Sequence, residues 1–257
     1  MSVLDSFRLD GHVIIITGGT GLLGREYSRA IAEAGGIPVV ADINADSAQF
    51  SVDVTDKKSV HALVKKTLKL YGRIDGLVNN AGIDPKFEGR EAKKHTHSFE
   101  EYPLELWNQS MDVNITGMFL MAQAVAPAML SQSKGSIVNI ASTYGLVGPD
   151  QRLYQKKGAK PMFKPVAYSV TKAGVLGLTR YLATYWAGRG IRVNTLTPGG
   201  VYHGHDKEFV KRYSDRTPLG RMAKQDEYNA AIIFLLSDAS SYMTGSNLVI
   251  DGGWTAW

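Results

Sequence analysis

The sequence predicts a single α/β domain, a doubly wound parallel sheet with helices on both faces, and three observations carry that reading. Short β-branched runs alternate with longer helical patterns along all 257 residues. The short runs are continuously apolar, as strands covered on both faces must be. No internal repeat and no low-complexity linker divides the chain, so residues 1–257 read as one domain.

The elements follow in order. Val13-Ile-Ile-Ile-Thr17 is the first strand, and residues 23–34 form the amphipathic helix behind it. Ile37-Pro-Val-Val-Ala41 is the second strand. Only ten residues separate Asp42 from Asp53, so a crossover helix there has one or two turns at most. Residues 57–71 read as a helix and 74–79 as a strand. The long apolar pattern over 104–130 reads as a helix. Its core, residues 115–130, is too short for a bilayer span and is interrupted by Gly117, Gln123 and Pro127, which favours burial in the protein. Strands over 136–141, 191–196 and 247–250, with helices over 167–187 and 226–236, complete the alternation. Two segments break it, residues 84–102 and 148–165. Long irregular loops in a compact domain are usually functional.

Composition excludes several classes of function. The chain has no cysteine, hence no disulfide framework, thiolate zinc site or thiol nucleophile. The net charge is +5, from 29 Lys and Arg against 24 Asp and Glu, too modest to argue for nucleic acid. The N-terminal Met1-Ser-Val-Leu-Asp-Ser-Phe-Arg does not read as a secretory signal, so a cytoplasmic protein without a membrane partner is expected.

The first strand runs into Thr17-Gly-Gly-Thr-Gly-Leu-Leu-Gly24 and on into a helix. Glycines at 18, 21 and 24 let the backbone turn sharply and approach a pyrophosphate, whose charge sits at the positive helix N-terminus. An acid, Asp42, ends the second strand, 18 residues past Gly24. There it would accept hydrogen bonds from adenosine ribose hydroxyls and repel a 2′-phosphate. Neither Gly19 nor Thr20 offers a cation for that phosphate. The expected cofactor is NAD rather than NADP, on a Rossmann fold.

Further landmarks follow: Asn79-Asn80-Ala81-Gly82 after the fourth-strand candidate, Asn114 in the long helix, Ser142, Tyr168-Ser-Val-Thr-Lys172, and Pro198-Gly199. With the glycine-rich turn, this ordered set resembles the short-chain dehydrogenases/reductases across essentially the whole chain. The resemblance implies a catalytic tetrad of Asn114, Ser142, Tyr168 and Lys172. It also implies a cofactor site built from Gly18, Thr20, Gly21, Leu22, Leu23, Asp42, Ile43, Asp53, Val54, Asn80, Ala81, Gly82, Tyr168, Lys172, Pro198, Gly199 and Val201. The chemistry is coherent. Tyr168 and Lys172 are four apart, so on a helix they share a face. An ammonium beside a phenol favours phenolate and is expected to lower the tyrosine pKa. Tyr168 would then take the proton of a substrate alcohol while the nicotinamide takes the hydride. Ser142 would hold the substrate oxygen, Lys172 would also bind the nicotinamide ribose, and Asn114 would anchor a water leading to Lys172.

Three features depart from the family. Leu22 stands where the commonest fingerprint has glycine, His203 stands where a threonine is frequent, and Ser142 and Tyr168 are 26 positions apart, where the family spacing is much shorter. The inserted stretch carries Arg152, Lys156, Lys157, Lys160 and Lys164 against one acid, Asp150. Tied at both ends to the catalytic residues, it reads either as a flap for a phosphate, carboxylate or nucleotide or as an arm on a neighbouring subunit. Arg152, Lys156, Lys157, Lys160 and His203 are thus the substrate-site candidates. The resemblance places His203, His205 and Lys207 in the stretch that forms the family's substrate lid; His95, His97, His203 and His205 read as polar surface, so no metal is expected. The run from Tyr144 to Asp150, with the insert and Phe163-Lys-Pro-Val-Ala-Tyr168, is also similar to oxidoreductases associated with flagellin glycosylation and nonulosonate sugar pathways. A sugar-like alcohol is the expected substrate, with a fatty-acyl ketoreductase and a non-catalytic NAD-binding protein as alternatives. Met118, Met121, Tyr181 and Trp186 on the two long helices, and the aromatics of Gly252-Gly-Trp-Thr-Ala-Trp257, are candidate interface residues, and the family resemblance implies a homotetramer, or failing that a dimer.

Overall fold

The computed structural model describes residues 2–44, 46–84, 97–155, 158 and 160–257. Seven strands form one parallel sheet: β1 (Val13–Thr17), β2 (Ile37–Asp42), β3 (Phe50–Ser51), β4 (Gly76–Asn79), β5 (Gly135–Ile140), β6 (Ile191–Pro198) and β7 (Asn247–Ile250). Their order is β3-β2-β1-β4-β5-β6-β7. The order reverses between β1 and β4, which opens a crevice at the carboxyl ends of these strands.

Alternation along the strands builds two cores. Val13 and Ile15 face one side, with α2 (Lys57–Tyr71), α4 (Gly117–Gln132) and α5 (Val166–Tyr185) supplying Leu63, Val64, Met121, Met129 and Leu182. Ile14 and Ile16 face the other, against Tyr27 and Ile31 of α1 (Leu22–Glu33) and Ile232 and Leu235 of α7 (Asn229–Leu236). The doubly wound fold expected from the sequence is the one observed.

Several elements differ from expectation, each for a local reason. No helix links β2 to β3 among the described residues; a tight turn over 46–47 leads to the two-residue β3. The span is too short for a helix that must also reverse direction. The long helix begins as α3 (Leu104–Met111), passes through one π-helical turn at Asp112–Thr116 and continues as α4. A polar helix, α6 (Lys207–Arg216), lies within the stretch read as a lid and is capped by Asp206, whose carboxylate accepts from Phe209 N. Met118, Met121 and Trp186 are buried in the core and so do not serve as surplus surface. The exposed aromatics on these helices are Phe119, Tyr181 and Tyr185. Trp254, expected at an interface, is buried and stacks on Tyr213 at 4.1 Å between ring centroids, which leaves Trp257 as the exposed C-terminal aromatic.

Candidate active site

The crevice is framed by the turn after β1 and the loop after β4. Gly18 has φ +61°, and a Cβ there would lie 2.8 Å from Ala81 Cα. A Cβ on Gly24 would lie 2.2 Å from Gly18 O, so the turn closes onto α1 only with glycine at this position. Thr17 Oγ1 accepts from the amides of Asn80 and Ala81, both at 3.1 Å. Asn80 Nδ2 in return donates to Thr17 O and Gly18 O at 3.1 and 3.0 Å. Asn80 thereby clamps the glycine turn to the end of β4. Thr17 is a bracing position that the sequence pattern alone does not single out; its signal is its place directly before the first glycine.

At the end of β2, Asp42 Oδ2 accepts from Thr20 N at 3.0 Å and Thr20 Oγ1 at 2.7 Å, and Oδ1 accepts from Asn44 N at 3.1 Å. Partial burial raises its pKa, but these hydrogen bonds outweigh that effect and hold the carboxyl below its ordinary value. The group is an anion at neutral pH. Farther along, Asp53 Oδ1 accepts from Thr55 N and Oγ1, and Val54 packs in the core. Leu22 and Leu23 start α1, while Ile43 is exposed beside Asp42. Pro198 ends β6, Gly199 lies so close to Asp251 that a Cβ would fall 2.7 Å from its Cα, and Val201 bridges to Ala223. All these positions lie on the carboxyl-end rim of the sheet or begin α1.

The tetrad positions meet at the same rim. Ser142 follows β5 beside the Tyr168 phenol, where its hydroxyl favours the ionised form, and its Oγ accepts from Tyr144 N at 3.3 Å. Lys172 is buried one turn along α5, donates to Ile140 O at 2.9 Å and lies 5.8 Å from the Tyr168 ring centroid. Asn114 is fully buried in the π-helical turn. Its Oδ1 accepts from Ile83 N at 2.7 Å, and its Nδ2 donates to Ile83 O and Thr171 Oγ1, both at 3.2 Å. Asn114 thus ties the loop after β4 to α5. A Cβ on Gly82 would lie 3.3 Å from Asn114 Oδ1 and 3.6 Å from Lys172 Nζ, so Gly82 borders both.

The expected lowering of the Tyr168 pKa is not what this geometry gives. Burial pushes the phenol well above its ordinary range, Asp84 raises it further, and the Ser142 hydrogen bond opposes them. The reason is desolvation on both sides of the pair. Burial also pulls Lys172 down to about 8, and its ammonium is directed to a backbone carbonyl.

The described part of the insert is packed rather than loose. Gln151 makes two hydrogen bonds to the Lys164 backbone, at 2.8 and 3.2 Å. Gln155 Nε2 donates to Met162 O at 2.7 Å, and Arg212 of α6 donates to the carbonyls of Arg152 and Gln155. Leu153, Tyr154 and Met162 join Tyr144, Tyr168, Tyr213, Met222 and Trp254 in one cluster around the phenol. Tyr154 donates to Tyr144 Oη at 2.8 Å. Arg152 is exposed and paired with Asp150, which Arg216 also binds. Lys160 and His203 are exposed as well, with His203 Nδ1 3.2 Å from Val201 O. Lys156, Lys157 and His95 lie outside the described residues. Among the described residues of the insert, the cation that reaches the site is Lys164, buried and paired with Asp84, a residue that no sequence motif marks.

The chain is similar to known proteins along its length. A family model described as enoyl-(acyl carrier protein) reductase matches residues 23–255. D-threitol dehydrogenase of Mycolicibacterium smegmatis is 36% identical, the match covering 99% of this chain and 97% of the relative. The crystal structure of a short-chain type dehydrogenase/reductase from Mycobacterium marinum is 33% identical, with TM-score 0.85 and full coverage of both chains. A gluconate 5-dehydrogenase from Burkholderia cenocepacia, solved with NADP and tartrate, is 32% identical at the same TM-score and coverage. Matched from end to end at these identities, the chain belongs to the short-chain dehydrogenase/reductase family, oxidoreductases acting on a CH–OH group.

Proposed function

We propose that the protein is an NAD(H)-dependent oxidoreductase that interconverts a secondary alcohol and a ketone on a polyol or sugar-like substrate. The observation that carries this reading is the grouping of Ser142, Tyr168 and Lys172 at the rim that also holds Asp42 and the glycine turn. The residues present fit a dinucleotide. Gly18 and Gly24 admit no side chain, and Asp42 offers a fixed carboxylate. When bound, the nicotinamide supplies the hydride acceptor or donor. Tyr168 takes the proton of the alcohol, or returns it to the ketone oxygen, and Ser142 holds that oxygen. Lys172 supplies positive charge under the phenol. The names of the threitol and gluconate relatives favour a small polyhydroxylated substrate.

The test is a screen of polyols, sugar acids and sugar phosphates with NAD and with NADP, followed by NAD(P)H absorbance. Turnover of a member of these classes is expected, and its absence across all three would overturn the substrate reading. NAD is expected to bind at least about tenfold more tightly than NADP, a difference of only about 1.4 kcal/mol, because the Asp42 carboxylate would repel a 2′-phosphate. Asp42→Ala should narrow the gap. Tighter binding of NADPH than NADH by the unmodified enzyme would refute the assignment.

We also propose a homotetramer. Phe119, Val170, Tyr181 and Tyr185 are exposed on α4 and α5, and Tyr181 stacks on Tyr185 at 5.8 Å. Light scattering at micromolar concentration should give four times the 28.0 kDa chain mass. A dimer would confine association to one such face, and a monomer would exclude it.

A further inference from the structure

Lys164 is not one of the tetrad positions, yet it lies closer to the phenol ring than Lys172 does. Its Nζ is 4.1 Å from the Tyr168 ring centroid, against 5.8 Å for Lys172. It is 7% exposed, so water screens the contact little. The position is held from both sides along the chain, by the Gln151 staple on the Lys164 backbone and by Pro165 at the start of α5. The ammonium also lies 5.8 Å from the Tyr144 ring centroid and pairs with Asp84, whose own side chain is largely exposed.

We propose that Lys164 is a positioning residue acting through Tyr168, its ammonium seated on the face of the phenol ring so as to favour the phenolate, with Asp84 as the counter-charge that sets how strongly it does so. The physical reason is the ring itself. A cation over an aromatic face is attracted by the ring's negative face, and that face becomes far more negative when the hydroxyl ionises. Asp84 acts in the opposite sense and raises the phenol. Among the described residues, the other groups facing Tyr168 are Lys172 on α5, Ser142 and Tyr144 after β5, and Tyr213 on α6, with Tyr154 bonded to Tyr144. Lys164 and Lys172 are the cations among them, and they attach to the ring from different segments of chain. The insert between Ser142 and Tyr168 thus delivers a second ammonium to the acid–base residue.

The inference rests on the reading that Tyr168 is the acid–base group, and the experiment separates the two. Two quantities are measured against pH for wild type, Lys164→Met, Asp84→Asn and the double variant. One is kcat/KM for alcohol oxidation with NAD. The other is the phenolate absorbance of Tyr168, isolated by subtracting the same protein carrying Tyr168→Phe. Oxidation needs the phenolate, so activity rises with pH through the Tyr168 pKa. Lys164→Met keeps the aliphatic stem among the aromatics and should move that midpoint up by about one pH unit, with the high-pH plateau retained. Asp84→Asn should move it down by a similar amount, and the double variant should fall between them. A structural strut would behave otherwise: Lys164→Met would lower the plateau without moving the midpoint, and that result would overturn the proposal. If Lys164→Met does not fold, Asp84→Asn at the exposed end still decides, because an unmoved midpoint there refutes the charge balance. If no substrate turns over, the functional reading fails, while the absorbance titration still shows whether Lys164 shifts the phenol.

Discussion

Tyr168→Phe is expected to lower turnover by about 10²–10⁴-fold, the range a positioned acid–base group contributes, while nucleotide affinity and Tm stay close to wild type. The substitution removes one oxygen and leaves the ring. Packing against Tyr144, Tyr154, Met162, Tyr213 and Trp254 therefore survives, as does the cation seated on the ring face. Removing a buried hydroxyl changes stability by no more than about 1 kcal/mol. The loss is chemical, because no transferable proton remains at the reacting oxygen. The rate that remains should no longer rise with pH through the phenol's titration. Steady-state kinetics, nucleotide titration and a melting curve on the same preparation make the check. A variant keeping more than about a tenth of the rate would require a different acid.

Why some of this was legible in the sequence and some was not has physical causes. β1 and the centre of β5 are apolar and buried on both faces, so Val13-Ile-Ile-Ile and Ile137-Val138 announce themselves, whereas the buried polar residues Ser136, Asn139, Asn194 and Thr195 of β5 and β6 interrupt the apolar pattern. The glycine turn is legible because sterics leave no alternative at Gly18 and Gly24. Tyr168 and Lys172 are legible because helical periodicity alone puts them on one face. β3 has two residues and no pattern to read. α6 turns only a short stripe, including Phe209, Val210 and Tyr213, towards the aromatic cluster and is otherwise charged, so it reads as loop. Lys164 is the clearest failure. A lysine in a basic stretch reads as solvated, yet this one is buried and pairs with Asp84, 80 positions earlier. The direction of the Tyr168 pKa failed for the same reason: spacing shows that two groups share a helix face but not how deeply the fold buries them.

Lys172→Met is expected to abolish turnover and weaken nucleotide binding, yet to raise Tm at neutral pH. The ammonium is 5% exposed, and burial pulls it from 10.5 to about 8, so holding it charged inside the fold costs roughly 3 kcal/mol. Methionine keeps the aliphatic stem and removes the charge. Ile140 O then loses its donor, which gives back about 1 kcal/mol. The net gain of about 2 kcal/mol should appear as a rise of a few degrees in a chain of this size. The pH dependence fixes the cause. Below about 8 the lysine is protonated both folded and unfolded, and the cost is present in full. Between about 8 and 10.5 the unfolded chain binds a proton that the folded one does not, so this group's contribution to wild-type stability improves as pH rises through that window. The Tm difference between variant and wild type should therefore be largest at pH 7 and shrink towards pH 10. A variant less stable than wild type at pH 7 would mean that the ammonium stabilises the fold. A difference that stayed constant with pH would mean that packing, and not buried charge, sets it. The expected outcome is a lysine retained for its charge at the reacting phenol, at a measurable cost to the stability of the helix that carries it.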